Sequence, residues 1–124
     1  HRTGLSRHDM LWYKSPWTRE EIVRKCGLVA LTRPFRSTYQ YNNNMFVAAG
    51  LVIQAITGQA WEDFVTERIF QPLGMETANC SSALALQAAD RATPHRKRGE
   101  QPMAPIEWLN FDSEGPGGTI NASA

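Results

Sequence analysis

The chain has 124 residues, 42% hydrophobic and 20% charged, with 13 Lys plus Arg against 12 Asp plus Glu. That composition excludes intrinsic disorder, which needs fewer apolar residues and more net charge, and the length suits one helix-rich domain over residues 1–124. A formal charge of +1 excludes wholesale binding to nucleic acid or an anionic membrane surface, and no apolar run approaches the roughly 18–20 residues of a membrane span.

Residues 1–14 read as an irregular segment with an apolar anchor at Leu11, Trp12 and Tyr13. Ser15 and Pro16 break the chain before a marked helix start. Thr18 is the expected N-cap, Glu21 completes a capping box three residues on, and Trp17 and Ile22 occupy the staple positions. The helix should run from Arg19 to near Cys26 and stop at Gly27. Residues 33–41 lack a helical period and read as loop or extended chain.

From Asn44 the sequence is almost unbroken apolar: Met45, Phe46, Val47, Ala48, Ala49, Leu51, Val52, Ile53, Ala55 and Ile56. At about fourteen residues this is too short for a membrane and too apolar for a surface helix, so a buried helix is expected. Gly58 is its natural stop. An amphipathic helix follows, with Trp61, Phe64, Val65, Ile69 and Phe70 near one face and Glu62, Asp63, Thr66 and Glu67 opposite; Pro72 closes it. Facing stripes on these two helices predict a core of Phe46, Leu51, Val52, Ile53, Ile56, Trp61, Phe64, Val65 and Ile69.

Residues 83–89 suit one or two helical turns, and Pro94 to Pro105 reads as loop. Gly115-Pro116-Gly117-Gly118 reads as a turn or a close-approach loop. The fold class is mainly α, with three or four helices, long loops and little strand. Loops of this length suit a chain packed on another part of a larger structure.

Cys26 and Cys80 are the only cysteines, and free thiols are expected, since a chain with this much apolar content needs no staple. His1, His8 and His95 share no ligand spacing, so no metal site is expected. Arg91, Arg96, Lys97 and Arg98 concentrate the positive charge and read as a solvated basic loop, not a nucleic-acid patch.

Tyr41-Asn42-Asn43 stands between an irregular stretch and the apolar helix. A helix N-terminus favours negative charge, and the preceding loop lets side chains project into a cleft. A tyrosine there beside a cation is suited to accept a proton. The alternative is structural: Asn42 or Asn43 caps the helix and Tyr41 packs.

The run from Tyr39 to Gly50 resembles the Tyr-x-Asn segment that opens the central helix in the family of class C β-lactamases, penicillin-binding proteins and esterases. Ile53, Ile56, Thr57-Gly58, Phe64, Ile69-Phe70, Pro72-Leu73-Gly74-Met75 and Thr77 resemble that family's continuation in order and spacing. His1-Arg2-Thr3-Gly4-Leu5 is similar to its His-Thr-Ser-Gly-Leu segment, with Arg2 and Thr3 in place of Thr and Ser. Gly117 to Ala124 is similar to its Gly-Gly-x-x-Ser-Thr-x segment, with Asn121 and Ala122 at the Ser-Thr positions.

The resemblance implies the helical region of a two-part fold, all-α plus α/β, with the active site in the groove between the parts. It implies hydrolysis of an ester, β-lactam or D-amino-acid peptide through an acyl-enzyme, with a small-molecule or peptide substrate and neither metal nor organic cofactor. Tyr41 corresponds to the catalytic acid/base and Asn43 to a substrate-binding residue. The family's nucleophile lies in Ser-x-x-Lys, and a further motif, Lys-Thr-Gly or His-x-Gly, lines the oxyanion side. Neither pattern occurs in these residues. The chain is therefore expected to open after the nucleophile and stop before the last strand, and to be inactive alone. The competing reading is a non-catalytic helical binding or structural module, completed by another chain.

Overall fold

The computed structural model describes residues 1–123. Four helices are found among them: α1 (Arg19–Cys26), α2 (Asn44–Thr57), α3 (Trp61–Val65) and α4 (Ser82–Gln87). One π-helical turn, Thr66–Phe70, continues α3. The predicted 94–105 loop contains a short antiparallel ribbon, β1 (His95–Arg96) against β2 (Ala104–Pro105).

α1 begins where its capping chemistry places it. The Glu21 N–H donates to Thr18 Oγ1 at 3.2 Å, and the Thr18 N–H donates to Glu21 Oε2 at 2.9 Å. That backbone donor holds the Glu21 carboxyl below its usual range. Glu20 and Glu21 in the first turn and Arg24 and Lys25 in the last complement the helix dipole. The staple is half-formed: Ile22 is fully buried, whereas Trp17 stays partly exposed with Lys25 Nζ over its ring. Ile22 and Cys26, one turn apart, are the residues α1 buries.

α2 ends at Gly58, whose φ of 73° is the left-handed conformation that glycine adopts without a Cβ penalty. One side of α2 is buried at Asn44, Val47 and Gly50. It packs on α1 and on a 3₁₀ turn, Gly115–Gly117, where a Cβ on Gly50 would overlap the Pro116 ring.

The expectation that α2 is buried all round does not hold. Phe46, Val52 and Ile56 are exposed, Ile56 by 79%, and Leu51 and Ile53 are half-buried. An apolar helix needs partners on every side to bury every residue, and α1, α3 and the Gly115–Gly117 turn leave one side of α2 uncovered.

The second part of the core is Trp61, Val65, Phe70 and Cys80, with Ile53, Met75 and Ala78 against it. Trp61 and Val65 are buried as predicted, and Phe64 is half-buried. Ile69 is exposed and Phe70 takes the predicted place. The widened turn, closed by Gln71 N–H to Thr66 O at 2.9 Å, breaks the regular helical phase that pointed to Ile69.

α4 is capped by Ser81, whose Oγ accepts from the N–H groups of Ala83 and Leu84 and donates to Asp112 Oδ2 at 2.8 Å. Thr119 Oγ1 donates to Cys80 O at 2.9 Å, and Asn79 and Asn121 exchange backbone hydrogen bonds. These bonds tie residues 111–121 beside residues 79–82. Cys26 and Cys80 are both free and buried, and desolvation pushes both thiols up, Cys80 to about 11.

Candidate active site at the Tyr41–Asn43 turn

The N-terminal end of α2 is held against the start of the chain. Gln40 N–H donates to His1 O at 2.8 Å and Arg36 N–H to Arg2 O at 2.7 Å. Asn42 and Asn44, 1% and 0% exposed, complete the clasp. Asn42 Nδ2 donates to Ser6 O at 2.8 Å, and Asn44 Nδ2 donates to Arg7 O at 3.1 Å. Amide side chains serve well here because each can reach a carbonyl of the irregular segment that no ladder would satisfy.

Asn43, between them, does neither job. It occupies the N-cap position, yet its side chain accepts no bond from the first turn, and its backbone is already helical. The capping alternative is therefore not what the structure adopts. Asn43 is 8% exposed and makes no side-chain hydrogen bond, while the Oδ1 atoms of Asn42, Asn43 and Asn44 are all buried without a partner. Buried amide oxygens are nearly always satisfied, so an orphaned one calls for a functional or solvent explanation.

Tyr41 is 44% exposed, so it does not pack inside as the structural alternative supposed. Its ring is nonetheless fixed. The His1 ring lies 4.5 Å away, tilted by 30°, and the Arg7 guanidinium stands 5.2 Å from the Tyr41 centroid. Arg7 Nε is bound to Asp9 Oδ2. Arg7 is held over the face of the tyrosine ring, its backbone carbonyl accepting from Asn44 Nδ2.

Three further residues surround this turn: His1, Arg7 and Asp9. His1, whose Nδ1 accepts from the Asn42 N–H at 3.2 Å, also meets the rings of Tyr39 and Phe46. Its place in the His-Thr-Ser-Gly-Leu-like segment was the available signal. Arg7 and Asp9 carry no local signal. The Gly115–Gly117 turn packs on α2 as a close-approach element, and Arg19, paired with Glu62 and donating to Asp112 O at 2.6 Å, lies against Gly115.

Tyr41 and Asn43 stand apart from the 510 Å³ cleft, which is lined by residues that include Asn79, Asp90, Arg91, Trp108 and Asn121. Among the described residues no cluster of His, Cys, Asp and Glu is placed to hold a metal ion, and no helix is long and apolar enough to cross a membrane. Of the residues in the Gly-Gly-x-x-Ser-Thr-x-like segment, Ala124 lies outside the described residues.

The sequence model of the family described as Beta-lactamase matches residues 1–124. The chain belongs to the β-lactamase family. Curated relatives include the unguisins hydrolase ungD' of Aspergillus campestris, 38% identical over 85 residues, which cover 65% of this chain and 16% of that protein. Penicillin-binding protein 4 of Amycolatopsis lactamdurans is 26% identical over 104 residues, 83% of this chain and 27% of its own length.

Solved structures share the fold of this chain. D-amino acid amidase from Ochrobactrum anthropi SV3 superposes with a TM-score of 0.72 at 23% identity, covering 97% of this chain and 36% of the amidase. A D-stereospecific amidohydrolase from Streptomyces gives 0.77 at 20% identity, with 97% and 40% covered. The chain thus spans well under half the length of the relatives it matches.

Proposed function

We propose that this chain supplies the Tyr-x-Asn part of the active site of a longer serine hydrolase that cleaves an ester, β-lactam or D-amino-acid peptide through an acyl-enzyme. The observation that carries the reading is the division of labour at residues 41–44. Asn42 and Asn44 donate through Nδ2 to backbone carbonyls, whereas the side chain of Asn43, beside the exposed Tyr41, makes no hydrogen bond to the described fold.

In this reading the serine of a Ser-x-x-Lys segment attacks the substrate carbonyl. Tyr41 exchanges the proton between that serine and the leaving group, and Asn43 hydrogen-bonds the substrate's amide or acyl group. Relatives named as a D-amino acid amidase and a D-stereospecific amidohydrolase favour amide substrates of D-amino acids within this range. The exposed apolar side of α2 supports work as part of a larger structure, because a face of Phe46, Val52 and Ile56 gains from being covered.

Residues 1–124 contain no Ser-x-x-Lys, which makes the nucleophile the testable requirement. Purified 124-residue chain and full-length protein are treated with a fluorophosphonate or a β-lactam and analysed by intact mass. Stoichiometric labelling of the full-length protein alone is expected. A full-length protein that takes no label and turns over no p-nitrophenyl ester or D-amino-acid amide would favour the non-catalytic module.

A further inference from the structure

His1 reaches the Tyr41–Asn43 turn through both its backbone and its ring. Its carbonyl accepts from the Gln40 N–H at 2.8 Å, and its Nδ1 accepts from the Asn42 N–H at 3.2 Å. These two bonds bracket Tyr41 in the chain, and the half-buried imidazole lies on the Tyr41 ring, centroids 4.5 Å apart and planes tilted by 30°. The rings of Tyr39 and Phe46 stand edge-on to it, with centroids 5.4 and 5.1 Å away.

A backbone N–H only donates, so the Asn42 bond fixes the form of His1. Nδ1 carries the lone pair, and the ring is neutral with its proton on Nε2. A proton added at Nδ1 sets two donors against each other and breaks that bond. It also brings a second cation to the Tyr41 ring, over which Arg7 already stands. We infer that His1 is a positioning residue whose neutral Nε2–H form sets the Tyr41 ring and the Asn42 backbone, and whose protonation releases both.

The groups around His1 offer its charged form no partner. Arg7 is paired with Asp9, the Arg2 guanidinium turns to Ser37 O, and Arg36 lies over the Phe35 ring. Tyr39 and Tyr41 meet it through their rings, and α2, which contributes Phe46, carries no charged residue. Among the described residues no carboxylate pairs with the imidazole.

The catalytic consequence rests on the reading of Tyr41 as the acid/base; the hydrogen bond and its titration do not. The test is NMR of full-length protein with isotope-labelled histidine rings, tyrosine rings and backbone amides, titrated over about pH 5–8, where imidazoles change charge. At the alkaline end His1 is expected as the Nε2–H tautomer. On acidification the Asn42 amide and the Tyr41 ring signals should move with the His1 midpoint, and kcat/KM should fall with it. His1→Asn keeps an acceptor for the Asn42 N–H but does not titrate, so it should flatten that acid limb and the matching shifts. His1→Phe keeps a ring against Tyr41 and loses the acceptor, and should lower kcat by up to about 10²-fold, the scale of a small misplacement at reacting groups.

An Nδ1–H tautomer at the alkaline end, or Asn42 and Tyr41 signals that ignore the His1 titration, overturn the inference. Both are read in the wild type, whether or not the variants fold. A purely structural His1 would lower Tm in both variants and leave the acid limb in place, which also overturns it. Failure of the catalytic reading shows differently, as full turnover in Tyr41→Phe with the His1–Asn42 coupling intact.

Discussion

Pro116 sits directly on Gly50, filling the space a side chain would need. This contact joins the middle of α2 to the turn that follows Glu114. Replacing a mid-helix glycine by alanine ordinarily stabilises by about 0.8–1 kcal/mol. Here the added methyl must displace the Pro116 ring, an overpacking that costs about 1–3 kcal/mol. Gly50→Ala is therefore expected to lower the stability of the full-length protein in urea or thermal unfolding. A rise in Tm would mean that the turn does not rest on α2.

Glu114 gives stability a pH dependence of definite sign. Its folded-state value of about 7 lies above the ordinary glutamate value of 4.5, so between these limits the folded state holds more protons than the unfolded. Stability from this group is intact below the lower value and is lost as pH rises through the upper one, on the order of 3 kcal/mol at most. Urea unfolding of wild type and Glu114→Gln at several pH values measures this. The wild type should lose stability toward neutrality relative to the variant. Parallel curves would contradict the assignment.

Much of the local architecture was legible because local chemistry dictates it. Thr18 with Glu21 and the Gly58 stop depend on neighbours within one helical turn, and both stand where the sequence indicates. The fate of α2 was not legible, since a helix apolar on all sides does not state which partners are present. Phe70 displaced Ile69 because a π turn changes the phase that a regular period assumes.

At the site, Tyr41 and Asn43 were visible through their motif. Three adjacent asparagines with identical chemistry gave no way to tell the clasping pair from the free one. The burial of Glu114 was not legible, because nothing in its local sequence marks a carboxyl that packing will enclose.

Asn43→Ala removes an amide that contacts no part of the described fold through Oδ1. In full-length protein it should raise KM and lower kcat while Tm changes little. Had Asn43 been a structural cap, the same change would cost about 1 kcal/mol and leave kinetics alone. Steady-state kinetics with thermal unfolding separate the two, and a lower Tm with normal KM would contradict the substrate-binding role.

The acid/base role of Tyr41 is the centre of this account, and Tyr41→Phe in the full-length protein tests it with one atom removed. The ring contacts with His1 and Arg7 are retained, so stability should move by about 1 kcal/mol or less. Loss of a positioned acid/base group costs roughly 10²–10⁴ in rate. A measured kcat on a turned-over ester or D-amino-acid amide that falls by about that factor, with Tm unchanged, is the predicted result. A near-wild-type kcat in a folded Tyr41→Phe protein would contradict it.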